Sequence, residues 1–132
     1  MIGLDTNVIV RLFVDDDPEQ AETARRFVAA KCTPENPGFI DRVALAETIW
    51  VLTSVHRYRR SAVADVIEKL LDNRDMRLED RDLVRPALQE LRTGNVEFAD
   101  IIIGQVNLAR GCEATATFDR KAARLKGFVR VS

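Results

Sequence analysis

The chain opens with Met1-Ile2-Gly3-Leu4-Asp5-Thr6-Asn7, a short apolar run followed directly by three residues that favour helix N-termini. The apolar run predicts a short strand over residues 1–4. Side chains of Asp, Thr and Asn accept hydrogen bonds from the first free amides of a helix, so these three residues predict a short helix from Val8 to Val14. The opening stretch therefore predicts a strand that leads straight into a helix.

Short strands alternate with helices along the rest of the chain. This alternation is typical of βαβ units and predicts an α/β fold with a mainly parallel sheet. In open parallel sheets the ligand crevice lies beyond the carboxyl ends of the strands, so a functional site is expected at that edge. The further strands are predicted at 39–40, 76–78, 112–117 and 128–131, and the further helices at 19–31, 42–56, 61–73, 83–91, 98–109 and 120–125.

Composition limits the kind of protein that this chain forms. Its 132 residues predict a single domain, 1–132, and the net charge of −1 gives no overall attraction for nucleic acid. No apolar run approaches the ~20 residues of a membrane span, and Asp5 interrupts the place of a signal-peptide core, so we expect a cytoplasmic protein without membrane contact. The isolated Cys32 and Cys112 are expected to be half-buried apolar residues, with neither a zinc site nor a disulfide.

Four of the helices carry features with structural consequences. The helix predicted over 19–31 should turn Ala21, Ala24, Phe27 and Val28 to one inner face. The helix predicted over 42–56 is apolar nearly all round, which is typical of a buried helix, and Trp50 within it is expected in the core rather than as a base-stacking platform. Ser61 is expected to cap the next helix. Asp80 or Asp82 is expected to cap the helix predicted over 83–91. Pro86 lies inside that helix and should displace or kink its start. The strand over 112–117 is expected to be buried.

Four acidic residues interrupt apolar runs: Asp5, Glu47, Asp100 and Asp119. Asp5 and Asp119 follow predicted strands, and Glu47 and Asp100 lie in the first turns of predicted helices. If those helices begin at the same edge of the sheet, the four acids converge. Ionised carboxylates in apolar surroundings need compensation, and converging carboxylates raise each other's pKa values. Mg²⁺ or Mn²⁺ would relieve this repulsion, whereas the shortage of His and Cys argues against zinc.

Each acid also has an explanation that involves no chemistry. Asp5 and Asp119 are equally well explained, one at a time, as helix N-caps. Glu47 would be unremarkable if it paired with an arginine, and Asp100 if it lay on a polar helix face. The joint pattern of four interrupted apolar runs favours the metal site.

Four short motifs around these acids resemble those of PIN domains. They are Ile2-Gly3-Leu4-Asp5-Thr6-Asn7-Val8, Ala44-Leu45-Ala46-Glu47, Phe98-Ala99-Asp100-Ile101-Ile102 and Thr117-Phe118-Asp119-Arg120-Lys121. Their order and spacing agree with the family over essentially the whole chain. Total length and the immediate start at Met1 are similar to the VapC-type toxins within that family.

The resemblance implies a PIN-like fold, in which helices flank both faces of a central, mainly parallel sheet. It implies a Mg²⁺-dependent endoribonuclease, the toxin component of a bacterial VapBC-type toxin–antitoxin pair. The partners implied are RNA, a cognate VapB-type antitoxin and a second copy of the chain in a homodimer. DNA would be reached only indirectly, through the antitoxin.

Carried over residue by residue, the resemblance makes Asp5, Glu47, Asp100 and Asp119 the catalytic acids. Asp5 and Asp100 would bind Mg²⁺ directly, with Mn²⁺ as a substitute. Glu47 and Asp119 would bind it through water, or Glu47 would orient the nucleophile. The cation would lower the pKa of a bound water and place it in line with the scissile phosphodiester. Supporting roles fall to Thr117, hydrogen-bonded within the pocket, and to Thr6 and Asn7, which would order the first loop.

Basic residues near the expected active edge are candidate contacts for the RNA backbone: Arg120, Lys121 and Arg124. A second basic cluster at His56, Arg57, Arg59 and Arg60 is more typical of a helix C-terminus complemented by cations. His56 is the only histidine, which excludes a two-histidine ribonuclease mechanism.

The rival functions are weaker on residues. An aspartate phosphatase needs a second Asp two positions after the first, where this chain has Asn7, and a phospho-receiver needs paired acids where Gly3 and Leu4 precede Asp5. The remaining alternative is a non-catalytic PIN-like module that binds protein or RNA. Loss of a pocket acid would favour it, and all four acids are present.

Overall fold

A computed structural model describes residues 1–132, which pack as two compact units, Met1–Arg81 and Asp82–Ser132. We call them the N-terminal unit and the C-terminal unit. Every pair of neighbouring strands in either unit is parallel. The predicted α/β class with parallel strands is therefore confirmed, and the strand hydrogen bonds form a three-stranded sheet and a separate two-stranded sheet.

The N-terminal unit holds the three-stranded sheet, in the order β1-β2-β3, so Met76–Leu78 is an edge strand of that sheet. Its register pairs Ile2 with Gly38 and Gly38 with Met76. The elements are β1 (Ile2–Gly3), α1 (Thr6–Arg11), α2 (Pro18–Lys31), β2 (Gly38–Ile40), α3 (Arg42–Ser54), α4 (Arg60–Asp72) and β3 (Met76–Leu78).

Close packing around β2 explains why the central strand begins with glycine. A Cβ on Gly38 would lie 2.9 Å from Leu4 Cδ1 and 3.0 Å from Cys32 Sγ, so both neighbouring side chains would have to shift to admit it. The largest fully buried side chains of this unit come from α1, β2, α3 and α4, so the helices pack their apolar residues into one core: Ile9, Ile40, Leu45, Leu52, Ile67, Leu70 and Leu71.

The C-terminal unit holds the two-stranded parallel sheet, which pairs Thr115 with Phe128 and Thr117 with Arg130. The helix predicted over 98–109 is confirmed with those bounds. Gly111 follows its end with a φ of 93°, a conformation that ends a helix and that glycine adopts without strain. The elements are α5, which begins one residue before the unit (Arg81–Thr93), α6 (Phe98–Ala109), β4 (Thr115–Thr117), a 3₁₀ turn (Ala122–Arg124) and β5 (Phe128–Arg130).

Two predicted helix starts are wrong. Helix α1 begins at Thr6 rather than Val8, because Asp5 alone caps it, so Thr6 and Asn7 lie in its first turn and not in a loop. Helix α4 begins at Arg60 with Arg59 in the N-cap position and without a side-chain cap, so Ser61 is not the cap. The helix that contains Pro86 begins at Arg81, directly after Asp80, and continues through the proline to Thr93.

Several expectations about burial are also wrong. Val43 and Trp50 of α3 are 73% and 62% exposed, so this apolar helix has a solvent face. Phe27 of α2 is exposed, while Ala21 and Ala24 on the same helix are buried.

The predicted buried strand over 112–117 shrinks to Thr115–Thr117, and none of its residues is buried. Of the two free cysteines, Cys32 is buried and Cys112 is exposed, so neither is half-buried. Burial raises the pKa of the Cys32 thiol, and Asp75 adds to the effect. None of the helices has the length and apolar character that a membrane span requires.

Candidate active site

Asp5 stands where the chain leaves β1 and enters α1. Its backbone is extended (φ −79°, ψ 157°), and its Oδ1 accepts a hydrogen bond from the backbone N of Thr6 at 2.8 Å. The residue is exposed to solvent. Asp5 is therefore the N-cap of α1, as its simpler explanation predicted. It caps the helix through Oδ1 only, so its second carboxylate oxygen is available to bind a cation.

Glu47 lies in the second turn of α3, exposed to solvent, and α1 packs against α3. Asp5 and Glu47 line the same cavity of about 310 Å³. The structure therefore brings together the two candidate acids of the N-terminal unit. Thr6 and Asn7, predicted as supporting residues, line that cavity as well.

Asp119 lies two residues after the end of β4 and is held by four hydrogen bonds. Its backbone N donates to Thr117 Oγ1 at 3.0 Å, and its Oδ1 accepts from the backbone N of Lys121 at 2.7 Å and of Ala122 at 3.0 Å. Its backbone oxygen accepts from the N of Ala123 at 3.0 Å. Asp119 therefore stabilises, through one carboxylate oxygen, the turn that leads into the 3₁₀ turn, and the Thr117 hydroxyl helps to fix its backbone.

Asp100 is the third residue of α6 and is half-buried. Burial of the carboxyl raises its pKa first, and the negative charges of Asp119 and Glu97 raise it further. Each effect disfavours the ionised form, so the carboxyl lacks a compensating positive charge. The structure thus also brings together the two candidate acids of the C-terminal unit.

The predicted RNA-contact residues lie beside Asp119. Arg120 and Lys121 follow it in the chain, are exposed, and line a cavity of about 330 Å³ together with Asp119 and Glu97. Arg124 ends the 3₁₀ turn and is exposed, but it does not line this cavity. Cations therefore stand next to the acid, where they can face an anionic ligand.

The family assignment follows from a match over most of the chain. The model of the PIN domain family matches residues 2–127. The chain belongs to the PIN-domain family. PIN domains are generally metal-dependent nucleases and typically use divalent ions such as Mg²⁺, so membership indicates a nuclease-type function. A search of curated proteins found no match to the chain.

The donor set of this PIN domain suits a hard divalent cation. The candidate ligands are carboxylates, which such cations prefer, and the uncompensated charge around Asp100 is what a cation would offset. Within neither unit do three or more His, Cys, Asp or Glu side chains form a group that could hold a metal ion. Each unit by itself therefore supplies a pair of acids, Asp5 with Glu47 and Asp100 with Asp119.

The sequence argument that all four acids lie in apolar surroundings is wrong for three of them. Asp5, Glu47 and Asp119 are exposed, because each sits at a helix end or on the solvent face of a helix. Apolar neighbours in the sequence point into the core while the acid points away. Only Asp100 has the burial and the raised pKa that the argument expected.

Sequence reasoning missed two residues of this PIN domain's N-terminal cavity. Arg11 and His56 line it with Asp5 and Glu47. The side chain of Arg11 is held by Gln20, whose Oε1 accepts from Nε at 3.0 Å, and by an ion pair with Asp16. The i, i+4 spacing of Asn7 and Arg11 on one helix was a usable signal. His56 follows the end of α3, and its place in the cavity depends on how α3 packs.

Proposed function

We propose that this PIN domain is a Mg²⁺-dependent endoribonuclease that hydrolyses RNA phosphodiester bonds, and that it acts in the cytoplasm as the toxin of a VapBC-type toxin–antitoxin pair. One observation carries the nuclease proposal. Asp5 and Asp119 each follow the carboxyl end of a parallel strand, and the Oδ1 of each accepts hydrogen bonds only from backbone amides of the residues that follow it. In parallel sheets this is the edge at which ligands bind.

The four acids have distinct proposed roles in this reaction. Asp5 and Asp100 would hold Mg²⁺ directly, with Mn²⁺ as a substitute, and Glu47 and Asp119 would hold it through water. The order of the four motifs along the chain, together with the family match over residues 2–127, supports their acting in one reaction. The uncompensated charge around Asp100 supports its role as a cation ligand.

The bound cation supplies a Lewis acid and a water of lowered pKa. The protein residues prepare the rest of the reaction. Glu47, exposed in the N-terminal cavity, orients the attacking water in line with the scissile bond. Arg120, Lys121 and Arg124 pair with phosphate oxygens, which positions the RNA without reading its bases. Thr117 holds the Asp119 backbone through its hydroxyl.

The nuclease proposal is tested by Asp5→Asn. Asn is also a good N-cap, so the variant should fold, but it lacks the charge that holds a cation. We expect cleavage of RNA with Mg²⁺ to fall at least about 100-fold, with an unchanged circular dichroism spectrum. Asp15→Asn is the matched control, because Asp15 pairs with Arg25 at the surface, where ion pairs contribute little. Equal cleavage by Asp5→Asn and the wild type, or wild-type cleavage that survives a chelator, would contradict the proposal.

The toxin role rests on a separate set of observations. A groove of about 690 Å³ runs along α1 and α2 of the N-terminal unit, and Val8, Ala24 and the exposed Phe27 give it an apolar lining. We propose that an antitoxin segment packs in this groove and sends an arginine to Asp5 or Glu47 as a bidentate pair. Homodimerisation, and contact with DNA only through the antitoxin, belong to the same proposal.

Expression in a bacterial host tests the toxin role. We expect the wild type to arrest growth and the neighbouring gene product to relieve the arrest. The two proteins should co-purify, and light scattering should give the mass of a complex that contains a dimer of this chain. Phe27→Asp should weaken the co-purification while RNA cleavage is kept. A chain that cleaves RNA but is harmless and binds no neighbouring gene product would leave a nuclease that is not an antitoxin-controlled toxin.

A further inference from the structure

Phe118 is the most exposed large apolar side chain of the protein. It is 79% exposed, although it stands between Thr117 and the candidate catalytic acid Asp119. An aromatic ring in water forgoes the free energy that burial provides, so its position beside an acid of the proposed site calls for an explanation.

The backbone on both sides of Phe118 is held in place. Before it, the carbonyl of Thr117 accepts from the backbone N of Val131 at 2.8 Å. After it, the backbone N of Asp119 donates to Thr117 Oγ1 at 3.0 Å, and Asp119 Oδ1 accepts from the backbone N of Lys121 at 2.7 Å and of Ala122 at 3.0 Å. The ring therefore projects from a well-anchored turn, and little backbone ordering would be needed for it to bind a ligand.

The charge around Phe118 is strongly positive. Residues 118–132 contain five Lys or Arg and one Asp, a side-chain charge of +4, whereas the whole chain carries −1. All five cations are exposed: Arg120, Lys121, Arg124, Lys126 and Arg130. The C-terminal segment thus has the local basic surface that an anionic polymer needs and that the overall composition lacks.

We infer that residues 118–130 form a binding surface for single-stranded RNA in which the ring of Phe118 stacks on an unpaired base beside Asp119. An exposed aromatic face among cations is the arrangement by which proteins bind single strands, with the cations on the backbone and the ring on a base. This inference rests on the proposed ribonuclease function and names the residue that positions its substrate. Stacking tolerates any base, so Phe118 would favour unpaired substrate over duplex without selecting a sequence.

A protein partner is the rival occupant, because Val129 of β5 and Val131 just after it are also exposed. The side-chain charge of +4 over residues 118–132 favours RNA, because a concentrated positive surface attracts an anionic polymer. The two occupants predict different variants. Stacking requires a π-face at Phe118 and is indifferent to Val129, whereas an apolar contact accepts any apolar side chain at 118 and loses affinity on truncation of Val129.

The test measures binding of a single-stranded RNA oligonucleotide that carries 2-aminopurine, in the presence of a chelator so that no cleavage occurs. We expect Phe118→Leu, which keeps apolar volume without a π-face, to bind about fivefold or more weakly and to lose the stacking-induced quenching of 2-aminopurine. Phe118→Trp should keep both, and Val129→Ala should match the wild type. Lys126→Gln should reduce the slope of log affinity against log salt by about 0.7, a value typical of one contact to a single strand.

Three outcomes would overturn the inference, and they separate it from the proposed function. If Phe118→Leu binds and quenches as the wild type does while the wild type cleaves RNA, the stacking role is wrong and the ribonuclease stands. If Phe118→Leu keeps and Val129→Ala loses self-association in sedimentation, with RNA binding unchanged in both, the face is a protein contact. If the wild type neither binds nor cleaves single-stranded RNA, both proposals are wrong.

Discussion

Asp100 and Asp119 repel each other within the C-terminal unit. The pKa of Asp100 is raised first by the burial of its carboxyl and then by the negative charge of Asp119, with Glu97 adding a smaller contribution. Asp119 in turn has its Oδ1 engaged with two backbone amides, so it is held in place beside Asp100. The unit therefore keeps two acids together at a cost in stability, which is common where a site is arranged for function rather than for stability.

A raised folded-state pKa makes stability depend on pH. Because folded Asp100 binds its proton more tightly than the unfolded chain does, its stabilising contribution is complete below the unfolded pKa of about 4 and is lost as pH rises through the folded value. We expect metal-free Asp100→Asn to melt above the wild type at pH 7, with a smaller difference below pH ~4. Added Mg²⁺ should stabilise the wild type more than this variant.

Thermal melts with a chelator and with Mg²⁺, at both pH values, measure the effect of Asp100→Asn. Glu113→Gln is the control, because Glu113 is an exposed acid of the same unit outside the proposed site. An Asp100→Asn protein that melts below the wild type at pH 7 and responds to Mg²⁺ undiminished would show that Asp100 is an ordinary stabilising residue.

The Thr117 hydroxyl is predicted to matter for catalysis because it positions Asp119. Thr117→Val has nearly the same shape but cannot accept the hydrogen bond from the Asp119 backbone N. We expect RNA cleavage to fall about 10-fold, a typical effect of losing a partner that orients a metal ligand. Thr117→Ser keeps the hydroxyl and should retain most of the activity. Equal cleavage by Thr117→Val and Thr117→Ser would contradict a positioning role for the hydroxyl.

Trp50 offers a direct check of the exposed face of α3. It is the only tryptophan and is 62% exposed, so its fluorescence should be red-shifted and readily quenched by iodide. Trp50→Ser should change the free energy of unfolding by less than about 0.5 kcal/mol, as other surface substitutions do. Leu52→Ala on the same helix removes a fully buried side chain and should cost about 2–5 kcal/mol in urea unfolding. A protected Trp50 whose removal costs as much as that of Leu52 would mean that this face is covered.

Local sequence patterns correctly predicted those helices and strands whose apolar residues and end residues are contiguous in the chain. Helix α6 runs over the predicted residues because a long apolar stretch ends at Arg110-Gly111, and only glycine takes the positive φ there without strain. The strand predicted over 76–78 is confirmed as β3, Met76–Leu78. The position of Asp5 and Asp119 just after strands was predicted too, and in the structure each lies two residues after the last residue of its strand.

Only the tertiary structure decided which side chains are buried and which residues lie next to each other in the candidate site. The apolar residues of α3 repeat around the whole helix, and periodicity alone cannot tell which side another helix will cover, so Trp50 was placed in the core and is exposed. His56 and Arg11 share a cavity with Asp5 because α1 packs on α3, a contact between segments distant in the chain.

The sequence by itself thus determined the α/β class, the parallel strands, the PIN-family motifs and the chain positions of the four acids, because these follow from short motifs and from the order of elements along the chain. Tertiary packing decided which of the four acids has a raised pKa. It leaves Asp5, Glu47 and Asp119 in solvent and half-buries Asp100 beside Asp119, because desolvation and Coulomb repulsion depend on distances through space. It also left Phe118 exposed among five cations, one residue after the strand over 112–117 that was predicted to be buried.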